Sequence, residues 1–398
     1  MVKAADKLPA IAEQNGGLPK PDVKVVNNRT VVEGRNFIAE FDNEQGTLYS
    51  LSYDGKAVIR PGEGSELDAL RAPVDNDNWA YRSWFEKGLH NLRHKVTASK
   101  VLNTADNTVQ LMFTVESQAP NGATIHGGTS GRYTLEEHKD RPFGPDDFKF
   151  VTSQIWTVYP DGTVELQSAI ASNDASLVLP RLGYSMQLPE ELSRYTYYGR
   201  GPQNNYNDRK TGAFIEQHTS TVREQLVRFA KPQSMGNRED VRWCALTDAS
   251  GCGVMFVMNR PSCVSALPWS ALEMTLAPHT YQLPPSTGTH LHIDLAVTGL
   301  GGNSCGQGAP LEKDRVKGDN FVMGFSIRPL RANEFTKTAQ ARNSGAMPLS
   351  VSRSRNGMVT ISSPIKGEAV CYALNGSKKV YDYVAPFMLR EGGLVTAF

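Results

Sequence analysis

Apolar and polar residues alternate with a period of two along most of this chain. The pattern runs through Phe37–Phe41, Leu48–Tyr53, Thr108–Glu116, Phe150–Tyr159, Thr163–Ile170 and Arg181–Leu188, and resumes in Val241–Leu246, Val254–Met258, His290–Val297 and Phe321–Leu330. Successive side chains of a strand point to opposite faces, so each run predicts a strand with one face buried. The punctuation agrees, because Tyr53-Asp54-Gly55-Lys56 and Tyr159-Pro160-Asp161-Gly162-Thr163 place a glycine where a tight hairpin needs positive φ. Apolar residues at helical spacing occur in Ser83–Leu92 and Val222–Phe229, both short. The expectation is an all-β protein.

The same pattern divides the chain. Residues 1–21 are polar, contain Gly and Pro and show no period, which reads as a tail or as the end of a preceding domain. Residues 22–331 carry the long series of strands. Residues 332–348 are rich in Ala, Asn, Thr and Ser without apolar period and read as a linker. In residues 349–398 the alternation restarts in Met358–Ser362, Ala369–Leu374 and Leu394–Phe398, with turns at Asn356-Gly357 and Asn375-Gly376, which suits a small Ig-like β-sandwich. A chain of 398 residues is longer than a single core supports, so two or more domains are expected.

Two stretches break the alternation with dense polar groups. In Tyr197–Arg209, Gly199, Gly201 and Pro202 are expected to bend a strand sharply and present Arg200, Asn205 and Tyr206. In Lys231–Trp243, Pro232 and Gly236 frame a loop carrying Arg238, Glu239, Asp240 and Arg242 before an apolar strand that starts at Trp243, itself read as core. Polar loops of this kind form a binding surface or a buried network. Both readings stand for Arg238, Glu239, Asp240 and Arg242: a salt-bridge network that fixes the loop, or direct contact with a ligand.

Charge narrows the partners. A net charge of +1 from 42 basic and 41 acidic residues, with no basic stripe, gives no electrostatic case for nucleic acid or an anionic membrane. No run approaches the length of a spanning helix, and the start, Met-Val-Lys-Ala-Ala-Asp-Lys-Leu-Pro, lacks the apolar core of a secretory signal; the sequence assigns no compartment. Cys244, Cys252, Cys263, Cys305 and Cys371 form no Cys-x-x-Cys pair and read as structural thiols. Asp75-Asn76-Asp77-Asn78 begins like a calcium loop, but Ala80 stands where the sixth position demands Gly; a structural cation held with help from other loops is left open, and no cofactor is implied. Gly302-Asn303-Ser304-Cys305-Gly306 matches a nucleophile elbow in letters, yet Gly306–Pro310 starts no helix. His290 and His292 share one face of a strand, which suits a metal, a proton-transfer pair or two ordinary half-buried histidines.

Four motifs then carry a resemblance. Leu70-Arg71-Ala72-Pro73-Val74-Asp75-Asn76-Asp77, Leu179-Pro180-Arg181-Leu182-Gly183, Tyr198-Gly199-Arg200-Gly201-Pro202-Gln203-Asn204-Asn205-Tyr206-Asn207-Asp208-Arg209 and Gly236-Asn237-Arg238-Glu239-Asp240-Val241-Arg242-Trp243 stand in the order of the fifth, small-chain domain of bacterial β-galactosidases of glycoside hydrolase family two. The resemblance implies a large antiparallel supersandwich similar to galactose mutarotase, with Lys7-Leu8-Pro9 as the end of a preceding sandwich domain. The C-terminal Cys371-Tyr372-Ala373-Leu374-Asn375-Gly376-Ser377 resembles the small sandwich of β-hexosaminidases and chitobiases. In the family both catalytic glutamates belong to a (β/α)₈ barrel, which a chain of strand after strand does not supply. The resemblance therefore implies a non-catalytic, carbohydrate-binding region that completes an active site, with the rest of a glycoside hydrolase chain or its oligomer as partner. A stand-alone carbohydrate-binding module or a mutarotase-like protein is the alternative. The family's sugar-stacking loop reads Gly-Gly-Asp-Asp-Ser-Trp; here it is Gly301-Gly302-Asn303-Ser304-Cys305-Gly306, with Cys305 in place of the ring. Arg200, Asn205, Tyr206, Arg238, Asp240, Asn303 and Cys305 are the substrate-binding residues expected on this basis.

Overall fold

The computed structural model describes residues 17–103, 107–128, 132–301, 308–317, 320–332, 350–362, 370–375, 377 and 379–397. Five antiparallel strands, Asp22–Val26, Arg29–Gly34, Phe37–Asp42, Thr47–Tyr53 and Lys56–Ile59, form an N-terminal meander in sequence order. The expected hairpin closes it. Asp54 and Gly55 take φ of 49° and 77°, the two positive values that a two-residue turn matching strand twist requires.

The meander packs on a 12-stranded sheet. Its main path runs Phe214–Thr221, Arg194–Gly201, Arg238–Thr247, Gly253–Leu267, Phe321–Leu330, Val164–Ser172, Phe150–Val158, Val109–Gln118, Arg93–Asn103. From Gly253–Leu267 a branch leads through Gly288–Val297 and Arg181–Pro189 to the short Glu66–Asp68. Every pairing is antiparallel, as expected for a supersandwich built from hairpins. Inward residues of both layers make one core: Phe41 and Leu51 from the meander meet Trp156, Leu166, Tyr184, Phe256 and Phe325. Phe41 stands edge-on to Trp156, centroids 5.6 Å apart, and the Trp156 indole N–H donates to Gln154 Oε1 at 2.9 Å. The Tyr53 hydroxyl donates to the Gly162 carbonyl at 2.9 Å, joining the two hairpin turns across the layers.

Three local expectations change. Ser83–Leu92 is a short helix, Tyr81–Glu86, followed by a 3₁₀ turn, Leu89–Asn91. Val222–Phe229 is not a helix beyond the 3₁₀ turn Arg223–Gln225; Leu226, Val227 and Phe229 are apolar because, as a loop, they cover a satellite cluster with Met235 and Leu267. A helix absent from the reading, Ala271–Leu276, starts at a reciprocal capping box between Ser270 and Glu273. The run at Val254–Met258 also continues past Pro261 as Gly253–Leu267, since the register against Arg238–Thr247 shifts where the proline falls and no ladder hydrogen bond is lost from a regular stretch.

Near the C-terminus, Ser350–Arg353, Met358–Ser362 and Phe387–Met388 form one three-stranded sheet, and Val380–Asp382, Cys371–Leu374 and Val395–Ala397 another. Tyr372 of one stacks on Phe387 of the other at 4.4 Å, over a cluster with Val359, Ile361 and Val370. Beyond Ala332 the expected linker lies outside the described residues. No helix among the described residues is long and apolar enough to cross a membrane.

Trp156→Ala should cost about 3–5 kcal/mol, the range for emptying an aromatic site in a packed core. Val322→Ala, at a side chain 64 % exposed on the same sheet, should change stability by about 0.5 kcal/mol at most. Urea denaturation followed by circular dichroism measures both, and equal effects would contradict this placement of the core.

Candidate functional site

The segment after Glu66–Asp68 is tied down by a buried cation. Arg71, with its side chain 1 % exposed, lies 2.6 Å from Asp77 Oδ1 and also donates to the carbonyls of Thr298 and Gly299, just past strand Gly288–Val297. Asp77 Oδ2 in turn accepts the Val74 N–H at 2.9 Å, so the 3₁₀ turn Asp75–Trp79 starts in a fixed place. Asp77 is thus spoken for by Arg71, and no cluster of three metal-ligating side chains occurs among the described residues. Asn76 donates to the Leu300 carbonyl at 3.0 Å, and the Gly301 N–H to Asp208 Oδ2 at 2.8 Å. Gly301 needs its glycine, having φ of 88°. The base of the Gly-Gly loop is therefore clamped between the 70–77 segment and the first polar loop; Asn303 and Cys305 lie outside the described residues.

The two polar loops do meet. Strand Arg194–Gly201 continues straight through Gly199, where a Cβ would come 2.7 Å from Val241 Cγ2, and the expected bend falls one step later, at Gly201-Pro202. Asn205 then stitches the loops together: its N–H donates to Asn237 O at 2.9 Å, its Oδ1 accepts the Glu239 N–H at 2.9 Å, and its Nδ2 donates to Arg200 O at 3.0 Å. Tyr206, fully buried, reaches Ser234 Oγ at 3.2 Å. Arg238, 4 % exposed, donates to Tyr197 Oη at 2.8 Å, Gln225 Oε1 at 2.6 Å and Asn237 O at 3.1 Å. These three acceptors are neutral, so the network expected among Arg238, Glu239, Asp240 and Arg242 is rearranged. The acids pair with the first loop instead: Asp240 with Arg200, and Glu239 with Lys210 at 3.4 Å, while Arg242 donates to the Asp240 carbonyl. Asp240 takes φ of 55°, a strained value for an Asp, held by Arg200.

Behind these loops lies a charged interior. Arg181 sits 3.0 Å from Asp294 Oδ2, and the Cys263 thiol donates to Glu239 Oε1 at 3.1 Å. Burial pushes the Asp294 carboxyl up to about 7 against the pull of Arg181.

Next to the clamp, a cleft of about 420 Å³ opens between Pro73, Asp75, Tyr133, Lys231, Gln233 and His279. Lys231, at the start of the second polar stretch, holds its ammonium 4.3 Å from the Tyr133 ring centre and donates to Thr275 O at 3.3 Å. Burial draws the Lys231 ammonium below its usual range, with Asp75 opposing. His279 stacks on Tyr281 at 5.3 Å and 11°; Tyr281 itself is 82 % exposed and lies outside the cleft lining. Asp75 faces this cleft while its neighbour Asn76 holds Leu300, so cleft and Gly-Gly loop share one anchor. Of the residues expected from sequence, Arg200, Asn205, Tyr206 and Arg238 line no part of it, and Asp240 lines a separate hollow with Lys210 and Cys263. Tyr133, His279 and Tyr281 escaped sequence reasoning; the aromatic pair after Pro278, outside any strand, was the signal available.

Comparison with known proteins follows the same ground. The sequence model of the β-galactosidase small chain matches residues 33–327. The β-galactosidase of Priestia megaterium is 27% identical over 312 residues, covering 76% of this chain and 27% of that protein. That of Arthrobacter sp. is 34% identical over 262 residues, covering 62% and 24%. The chain thus spans about a quarter of the length of these curated relatives. Among solved structures, galactose 1-epimerase from Lactobacillus acidophilus aligns with 78% of this chain and 98% of its own at a TM-score of 0.41 and 8% identity.

Two measurements test the interior. Arg238→Ala strands Tyr197 and Gln225 without their donor and should cost about 3 kcal/mol, lowering Tm by roughly 5 °C in a domain of about 300 residues; an unchanged Tm would remove Arg238 from the scaffold. Asp294 keeps its proton in the folded state up to about pH 7, whereas unfolded it ionises near pH ~4. Its contribution is therefore intact below about pH 4, lost progressively as pH rises toward 7, and gone above. The urea midpoint should be lower at pH 8 than at pH 5, and Asp294→Asn, with no proton to lose, should narrow that gap; an identical gap in the variant would contradict the assignment.

Proposed function

Because the chain belongs to the β-galactosidase small-chain family, we propose that it forms one wall of a galactoside-binding site whose bond-cleaving carboxylates stand elsewhere in the assembled hydrolase. The observation that carries this reading is the content of the cleft. Among the described residues its lining offers one carboxylate, Asp75, whereas retaining hydrolysis uses two held about 5–5.5 Å apart. What it does offer suits holding a sugar. Asp75, Lys231 and Gln233 can exchange hydrogen bonds with hydroxyls, and the exposed ring of Tyr281, stacked on His279, presents a face for the C–H side of a pyranose.

The residues expected from sequence divide between two tasks in this proposal. Asn205, Tyr206 and Arg238 are buried and satisfied by the protein itself, so they position the loops. Arg200 and Asp240, about a quarter exposed at 26% and 27%, pair with each other outside the cleft, so any contact they make with substrate is made away from it. Asn303 and Cys305 follow Gly301 in sequence, and Cys305 stands where the family's motif has its stacking ring. The partner in this reading is the remainder of a glycoside hydrolase, in the same chain or the same oligomer, and the ligand is a β-galactoside or related glycan.

Purified protein should release no nitrophenol from nitrophenyl-β-galactoside above a mock purification; turnover that survives this control would overturn the division of labour. Galactose titrated against intrinsic fluorescence should bind weakly, Tyr281→Ala should weaken binding by about tenfold, the value of one aromatic contact, and Cys305→Trp should strengthen it with Tm preserved. No gain from Cys305→Trp would end the claim that this loop faces a sugar.

A further inference from the structure

A second cavity, of about 390 Å³, shares no lining residue with the cleft. It is bounded by loop residues 62–64, strand Glu66–Asp68, the turn Leu89–Asn91 and strands Arg181–Pro189 and Gly288–Val297. Three buried polar atoms of its lining have no hydrogen-bond partner among the described residues: Glu63 Oε2, His90 Nδ1 and His292 Nδ1. His292 is only 6 % exposed. Buried polar atoms are satisfied in the great majority of cases, so three on one cavity require an explanation.

Their chemistry is specific. His90 bonds Glu137 Oε1 through Nε2 at 2.9 Å, which leaves Nδ1 as the ring atom without a partner. Around it stand three histidine–carboxylate couples, each slightly too far apart to close: His292 Nδ1 to Asp68 at 3.5 Å, His94 Nε2 to Glu66 at 3.7 Å, and His290 Nε2 to Glu273 at 3.9 Å; of these side chains all but Glu273 line the cavity. No Arg or Lys lines it. Such a lining rejects anions and asks for a ligand with many donors that also accepts. A hydroxyl does both, donating to a carboxylate while accepting from an imidazole N–H. Burial lowers the proton affinity of His290 and, more strongly, of His292, so both rings are neutral and each keeps one donor and one acceptor. Between the polar groups, Leu67, Leu70, Leu89, Leu92, Met186 and Leu272 give an apolar wall.

We propose that this cavity is a second, independent binding site for a neutral polyol of monosaccharide size, held by Glu63, Asp68, His90 and His292 through its hydroxyls and by the leucine and methionine wall through its C–H face. The proposal does not rest on the galactoside reading of the cleft. Several millimolar hydroxyl-rich ligands meet the description, and galactose, glucose and the polyol sorbitol are the probes.

Saturation-transfer NMR and calorimetry on the full chain should show at least one of these three binding with Leu272→Trp, which fills the cavity, abolishing the signal, and Glu63→Gln weakening it by about tenfold, the value of one hydrogen bond to a charged acceptor. Tyr281→Ala, which changes the ring stacked on the cleft residue His279, should leave this component unchanged, so the two sites fail separately. Circular dichroism confirms that each variant folds; if Leu272→Trp does not, Glu63→Gln and His290→Ala decide. Absence of saturable binding by all three probes overturns the proposal. So does binding that the cavity variants leave untouched, or glucosamine binding more than about tenfold tighter than glucose, which would make the lining a cation site.

Discussion

The ion pair between Arg71 and Asp77 governs the architecture of this protein's functional end. Two charges taken out of water cost several kcal/mol each, and a buried pair persists only where its remaining hydrogen-bonding capacity is filled. Here the filling groups are what matter. Arg71 also donates to the carbonyls of Thr298 and Gly299, and Asp77 accepts the Val74 N–H. One guanidinium therefore fixes a segment near the start of the large sheet against the exit of a strand more than 200 residues later in sequence. Asn76 and Asp208 act on the two residues that follow, Leu300 and Gly301. The positions of Leu300 and Gly301 relative to Asp75 are thus set by buried polar contacts, which are directional where apolar packing is not.

Such contacts explain what was legible in the sequence. Many strands were, because period-two alternation reflects burial on one face and needs no knowledge of the partner: Val109–Gln118 and Met358–Ser362 bury alternate residues as the alternation indicated, whereas Phe321–Leu330 is buried on both faces. The apolar run Val222–Phe229 misled because a loop covering a satellite cluster needs apolar residues without any period. In the polar loops the residue types announced a network but not its wiring. Nothing in the letters Arg238-Glu239-Asp240 shows that the arginine turns inward to a tyrosine and an amide while both acids turn to Lys210 and Arg200. Asn205 reads as a ligand contact and is consumed by four backbone groups of its own fold.

The cleft was the least legible part, for a related reason. Tyr133, Lys231 and His279 come from three separate connections, and each is unremarkable where it stands in the chain. Only the sheet, by returning Arg238–Thr247 and Gly253–Leu267 past the same edge, places those connections side by side. Sequence reasoning reached Lys231 because it begins a visibly polar stretch. It missed Tyr281 because one exposed aromatic after a proline carries no periodic signature at all.

One strand relates the two cavities. Gly288–Val297 carries His290 and His292 on the face of the second cavity and delivers Thr298 to Arg71 beside the cleft. At about 3.3 Å per residue, the six residues from His292 to Thr298 span roughly 20 Å. The strand is paired to Arg181–Pro189 along its whole length and to Gly253–Leu267 from His290 to Asp294, so around the histidines neither edge is free to slide. A register shift of one residue would turn every side chain to the opposite face, carrying His290 and His292 out of the cavity and core residues such as Leu291 and Ile293 into it. The double pairing at His290–Asp294 keeps the histidines aimed at their cavity, while the single pairing to Arg181–Pro189 carries the strand on to Thr298 and Arg71.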